Sequence, residues 1–77
     1  MIEVSFLILL TMKEPDGRFT NTYYSHSQNR AVVCTNNHLQ ALSFTDKKDA
    51  EAVGLTALAT HRQIHGMTVV VKPEAVA

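Results

Sequence analysis

Hydrophobic and polar residues alternate from the first positions of this chain. In the opening stretch MIEVSFLILLTM, Ile2, Val4, Phe6, Ile8, Leu10 and Met12 share one parity, and a strand would set them on one face. The other parity reads Glu3, Ser5, Leu7, Leu9 and Thr11. It is polar at its start and apolar in its middle, whereas a strand face turned to water stays polar throughout. Leu7 and Leu9 therefore need a cover that the first strand cannot supply.

The next residues, Glu14-Pro15-Asp16-Gly17, suit a type I turn. Pro fits the second turn position and Gly17 can take positive φ after it, as in a hairpin with a Gly bulge. The second strand is predicted over 18–26, RFTNTYYSH, rich in Thr, Tyr and Phe. Phe19, Asn21, Tyr23 and Ser25 share one parity there, and Thr20, Thr22, Tyr24 and His26 the other. Residues 27–30 read as a polar turn and 31–35 as a short β-branched run. Asn36-Asn37 suits a two-residue turn, and 38–44 alternates again. A meander of three or four strands is the simplest pattern. A helical turn across 30–42 is the alternative, because Val33, Asn37 and Ala41 also have helical spacing.

A helix is predicted over 46–62. Thr45 or Asp46 can cap it, and Asp49 places a carboxylate in the first turn. Ala50, Val53, Ala57, Leu58 and His61 form a stripe near 3.6-residue spacing, flanked by Leu55, Ala59 and Arg62. Gly54 inside a helix costs about 1 kcal/mol relative to Ala, which implies a close approach to the sheet. Gly66 suits the position just past the helix end. The final strand is predicted over 67–72, with Met67, Val69 and Val71 on one face and Thr68, Val70 and Lys72 on the other; Pro73 ends it and 74–77 form a tail. The expected fold is α+β: an antiparallel or mixed β-sheet of three to five strands with an N-terminal hairpin, one helix on one face, and the last strand beside the first. It forms one small domain over 1–73.

One helix covers one sheet face. The other face carries Leu7, Leu9, Val70 and one of the adjacent Tyr23 and Tyr24. Apolar area prefers to leave water at roughly 25 cal/mol per Å², and contiguous apolar patches mark interaction sites. Leu7, Leu9, Tyr23, Tyr24 and Val70 are therefore the candidate interface for a protein partner or for a second copy, through the face or an edge. The competing reading is that 25–44 folds back over them, since scattered surface apolars are normal.

Size and charge narrow the classes. A 77-residue domain has a small core and commonly gains support from an oligomer or a partner. Seven basic and seven acidic residues give no net charge, and the Lys and Arg are scattered, which argues against nucleic-acid binding. Cys34 is the only cysteine, so no internal disulfide forms, in keeping with a reducing, cytoplasmic setting. The opening stretch carries Glu3 rather than a basic n-region, and its run 6–10 is too short for a secretory signal. It also falls short of the roughly 20 apolar residues that cross a bilayer.

Candidate chemistry is sparse. His61 and His65, four apart, would share a helix face and could hold a metal from one side; the plainer role is two histidines near a helix C-terminus. Cys34 and His38 could make a nucleophile and base, but Cys34 sits among Ala31, Val32 and Val33 like a small buried hydrophobe. Asp46 and Asp49 are accounted for by the helix start, and Glu51 by pairing with Lys47 and Lys48. Phe19, Tyr23 and Tyr24 could stack bases, yet no basic surround or RNP-type motif accompanies them. With three glycines in all, there is no Gly-rich phosphate loop. The expectation is a non-enzymatic protein with no cofactor.

Leu42-Ser43-Phe44-Thr45-Asp46 running into Asp49-Ala50-Glu51-Ala52, then Gly66 and Val69-Val70-Val71, resembles the layout of small phage and mobile-element accessory proteins. These pair a leading hairpin with a capped helix and a final strand, and they include anti-CRISPR inhibitors. The resemblance lies in element order and implies a stoichiometric inhibitor of a host system. It carries over no site residue.

Overall fold

Two tight turns and one helix cap set the path of the backbone. The computed structural model describes residues 4–72, so the expectations for Ile2, Glu3, Pro73 and the tail 74–77 lie outside the described residues. Strand β1 (Phe6–Lys13) is followed by β2 (Phe19–Gln28), β3 (Ala31–Thr35), helix α1 (Lys47–Thr60) and β4 (Ile64–Val71). The sheet order is β3-β2-β1-β4, and every pairing is antiparallel. The last strand does lie beside the first.

The first turn is the one its residues dictate. Gly17 donates its N–H to the Glu14 carbonyl at 2.9 Å and has φ 90°. Glu14 in turn donates to the Arg18 carbonyl at 2.8 Å, which closes a Gly-bulge hairpin and pairs Lys13 with Phe19. The second turn is tighter than the predicted 27–30. β2 runs on to Gln28, which pairs with Ala31, and Asn29 and Arg30 alone make the reversal. Both have positive φ, 51° and 65°, as a two-residue hairpin turn requires.

Helix α1 begins where the sequence indicated. The Asp46 carboxylate accepts from the Lys48 N–H at 2.9 Å, and Asp49 sits in the first turn. The helix ends at Thr60, with His61 extended as its cap. β4 then starts at Ile64, three residues before the predicted position, so Gly66 is a strand residue opposite Thr11 and not a helix stop.

The helix rests on β4 and β1. Its contact face is Ala50, Gly54 and Ala57, all buried. Beneath it lie Phe6, Ile8, Leu10 and Met12 of β1, Tyr24 of β2, and Ile64, Met67 and Val69 of β4. A Cβ placed on Gly54 would come within 2.7 Å of the Met67 methyl and 3.3 Å of Ile8 Cγ2. The close approach inferred from this glycine is therefore present.

Residues 36–44 depart from the predicted strand and equally from a helical turn across 30–42. Their polar groups are taken up locally: Leu39 N–H donates to Asn37 Oδ1, Asn37 N–H to Thr35 Oγ1, and Gln40 N–H to the Asn37 carbonyl. The first two, from backbone to side chain, compete with a ladder. Only Phe44 pairs like a strand residue, exchanging two backbone bonds with Phe6 at 2.7 and 2.9 Å.

Replacing Gly54 tests the seat of the helix. Gly54→Leu should lower the unfolding free energy by roughly 3 kcal/mol, because the helix must lift from β1 and β4. Gly54→Ala should stay within about 1 kcal/mol of the parent, its gain in helix propensity set against a displaced Met67 methyl. Urea titrations of the two variants read both values.

Candidate binding face

The register carries odd-numbered residues of β1 to the side away from the helix. Leu9 lies opposite Tyr23 on β2 and opposite Thr68 on β4, and Leu7 lies opposite Val70. Tyr23 in turn lies opposite Thr35 of β3. One row across the sheet thus reads Thr35, Tyr23, Leu9, Thr68, with Leu7 and Val70 next to it. Four of the five expected interface residues share this face: Leu7, Leu9, Tyr23 and Val70.

Tyr24 does not. It is buried in the helix-side cluster, and its hydroxyl lies 2.7 Å from Ser27 Oγ. The pair exists because Ser25 is an extra residue in β2: the register with β3 slips between Tyr24 and His26. A bulge of this kind reverses the facing of all later side chains, so Tyr24 and Ser27 point the same way.

The four remaining residues are not equally available. Leu7 is 0% exposed and yet lies outside the helix-side cluster, as does buried Ala41. The segment 36–44 explains both. It leaves β3 on one side of β2 and reaches Phe6 of β1 on the other, so it must cross β2. Ser25 Oγ donates to the Gln40 carbonyl at 3.4 Å and Leu42 N–H to the Tyr24 carbonyl at 3.1 Å along the way. The crossing covers Leu7 and leaves Leu9, Tyr23 and Val70 half-buried. Fold-back of the middle segment and an open apolar face therefore both hold, each over part of the sheet.

Sequence reasoning missed Leu39 and Leu42, which are exposed on the crossing segment. Their alternation suggested a strand with its own inner face. Phe19, considered from the sequence only for base stacking, is 59% exposed and meets the His65 ring edge-on at 5.5 Å between centroids. Here β4 carries one extra residue, since Thr11 pairs with Gly66 but Met12 with Ile64.

The candidate chemical groups do not converge. His61 is the helix cap and borders a hollow with Tyr24, Val32 and Val53, whereas His65 belongs to β4 and borders another with Met12, Thr22, Cys34 and Arg62. The shared helix face expected of the two histidines does not form. Among the described residues, no three His, Cys, Asp or Glu side chains gather as metal ligands. Cys34 faces the helix side opposite Tyr24 and is partly buried, while His38 belongs to the crossing segment. Among the described residues, no helix is long and apolar enough to cross a membrane. Compared with protein-family models, curated proteins and solved structures, the chain matches none.

One polar atom on the helix side has no partner. Thr22 Oγ1 is buried without a hydrogen bond. An unsatisfied hydroxyl of this sort costs roughly 1–3 kcal/mol. Thr22→Val keeps the branched shape and removes the hydroxyl, so it should raise the unfolding free energy by about 1 kcal/mol. Thermal and urea unfolding check the value; an equal or larger loss would show that the hydroxyl is solvated.

Proposed function

We propose that this protein is a non-enzymatic protein-binding module that engages its partner through the sheet face opposite the helix. The observation that carries the reading is the in-register row of Leu9 and Tyr23 beside Val70, half-buried on three adjacent strands with no helix above them among the described residues. Rigid, paired strands hold these side chains in place, so their apolar area can transfer to a partner at little cost in order. Exposed Leu39 and Leu42 extend apolar surface from the segment that crosses the same side. With no net charge on the chain, shape and apolar contact, not long-range attraction, would select the partner. A stoichiometric inhibitor of the kind found among phage accessory proteins is the form of binding module that the element order favours.

Leu9→Glu and Tyr23→Ala test the face. Each variant should keep the parent's far-ultraviolet circular dichroism and a cooperative melt. Each should lose the protein that the parent captures from a host lysate by at least about tenfold, the equivalent of 1.4 kcal/mol. Ala59→Lys, at an exposed position on α1, should capture that protein as the parent does. Undiminished capture by both face variants would remove the reading.

A further inference from the structure

The two edges of the sheet are built differently. β3 is one edge, only five residues long, and its end is occupied by the crossing segment: Thr35 Oγ1 bonds to Gln40 and Asn37. β4 is the other edge, eight residues long, IHGMTVVV, with no Pro, Lys or acidic residue. Among the described residues, no strand pairs with its outer side. Natural edges are blunted by short length, inserted charge, Pro or bulges. β4 has only the irregularity at His65, which leaves Met67–Val71 regular.

Which backbone groups face outward follows from one bond. Lys72 donates its N–H to the Ser5 carbonyl at 2.8 Å. Antiparallel ladder bonds recur at every second residue. Gly66, Thr68 and Val70 therefore turn their backbone groups toward β1, and Met67, Val69 and Val71 turn theirs outward. Phe6 agrees with this phase, since its N–H points away from β4 to the Phe44 carbonyl.

The helix overhangs this edge. Leu55 and Leu58, with Lys47 and Glu51 on the same side of α1, border a hollow with Met67, Thr68 and Val69. Leu55 is 56% exposed and Val71 60% exposed, so the edge and its overhang are both apolar and open to water.

We propose that β4 pairs with β4 of a second copy, antiparallel about a two-fold axis, to make one continuous eight-stranded sheet. A second copy is the occupant that fits. An antiparallel strand pair is its own complement under a two-fold, as an isologous interface requires. With Val69 set opposite its own counterpart, Met67 meets the counterpart of Val71, and all three outward residues are paired. The axis stands perpendicular to the sheet, so both helices lie on the same side. Leu55 and Leu58 then face their counterparts above the new strand pair. Lys47 and Glu51, 4.0 Å apart, bring one charge of each sign to the seam, so two copies do not repel there. The need is also evident, because Leu7, Ile8 and Leu10 are the only large side chains fully buried among the described residues, and so small a core commonly gains support from an oligomer.

The test uses the full chain alone, so it stands apart from any partner at the Leu9 face. Light scattering after size exclusion should give twice the monomer mass at high concentration and a shift toward monomer on dilution. Hydrogen exchange read by NMR should show the Met67, Val69 and Val71 amides protected when dimeric and exposed when dilute, while the Thr68 and Val70 amides stay protected throughout. Val69→Pro removes an outward N–H without touching the β1 ladder and should weaken the dimer by about tenfold or more. Leu55→Glu, at an exposed helix position, should do the same and serves where the proline variant unfolds. A strict monomer at all concentrations would overturn the proposal. So would a dimer whose Met67, Val69 and Val71 amides exchange freely, since its interface would then lie elsewhere.

Discussion

Helix α1 can lie close to the sheet because its inner face is made of Ala50, Gly54 and Ala57. That close seat governs the rest of the molecule. A helix about 10 Å across covers two strands of a sheet whose strands stand roughly 4.8 Å apart. Here the two are β1 and β4. Small residues bring little area of their own, so most of the apolar surface comes from the sheet: Ile8, Leu10, Met12, Met67 and Ile64. The helix contributes by excluding water from these side chains. It follows that β2 and β3 must close their part of the helix side unaided. Tyr24 reaches across for this purpose and is held by Ser27, while Thr22 is left with an unpaired hydroxyl at the margin.

On the opposite side, the crossing segment does what a second helix does in larger sheets. Its C-terminal end is fixed by backbone bonds, through Leu42 to Tyr24 and through Phe44 to Phe6. Phe44 then packs on the helix-side cluster, whereas Ala41 is buried outside it. One short segment thus contributes to both faces. Because it passes between the ends of β1 and β2, it shields Leu7 but stops short of Leu9. The boundary of the apolar face is therefore set by where β1 and β2 separate, just past the Leu9–Tyr23 pair.

Much of this was legible from residue types. Pro15, Asp16 and Gly17 specify the first turn, Asp46 the helix start, and Gly54 a close contact, each through one local physical requirement. The even parity of β1 facing the helix was legible too, as was the pairing of β1 with β4. The face of Tyr24 was recoverable in principle: the Gly-bulge hairpin pairs Lys13 with Phe19, which places Tyr23, and so not Tyr24, opposite Leu9. The irregular segment was not recoverable. His38 to Phe44 alternate like a strand, and only the structure shows that the Thr35 and Asn37 side chains satisfy the backbone instead. The start of β4 was misplaced for a related reason. Gly66 has the character of a helix stop, but it sits in the strand beside Thr11, and the helix had already ended at Thr60.

The uncovered far face and the free edge are consequences of one arrangement. A sheet of four strands with a single helix over β1 and β4 leaves the far face uncovered at Leu9 and Val70, and it leaves the helix flank at Leu55 standing over the β4 edge. Joining two copies at that edge buries the helix flank but hides none of Leu9, Tyr23 or Val70, since those side chains point away from the helices. It sets two such rows side by side on one larger sheet. A partner bound to both rows would meet each at an effective concentration fixed by the pairing, so weak contact at either row adds to firm contact overall. In this way the same shortage of covering helices that leaves the Leu9 face open also leaves the β4 edge open, and the proposed pairing at one would double the proposed surface at the other.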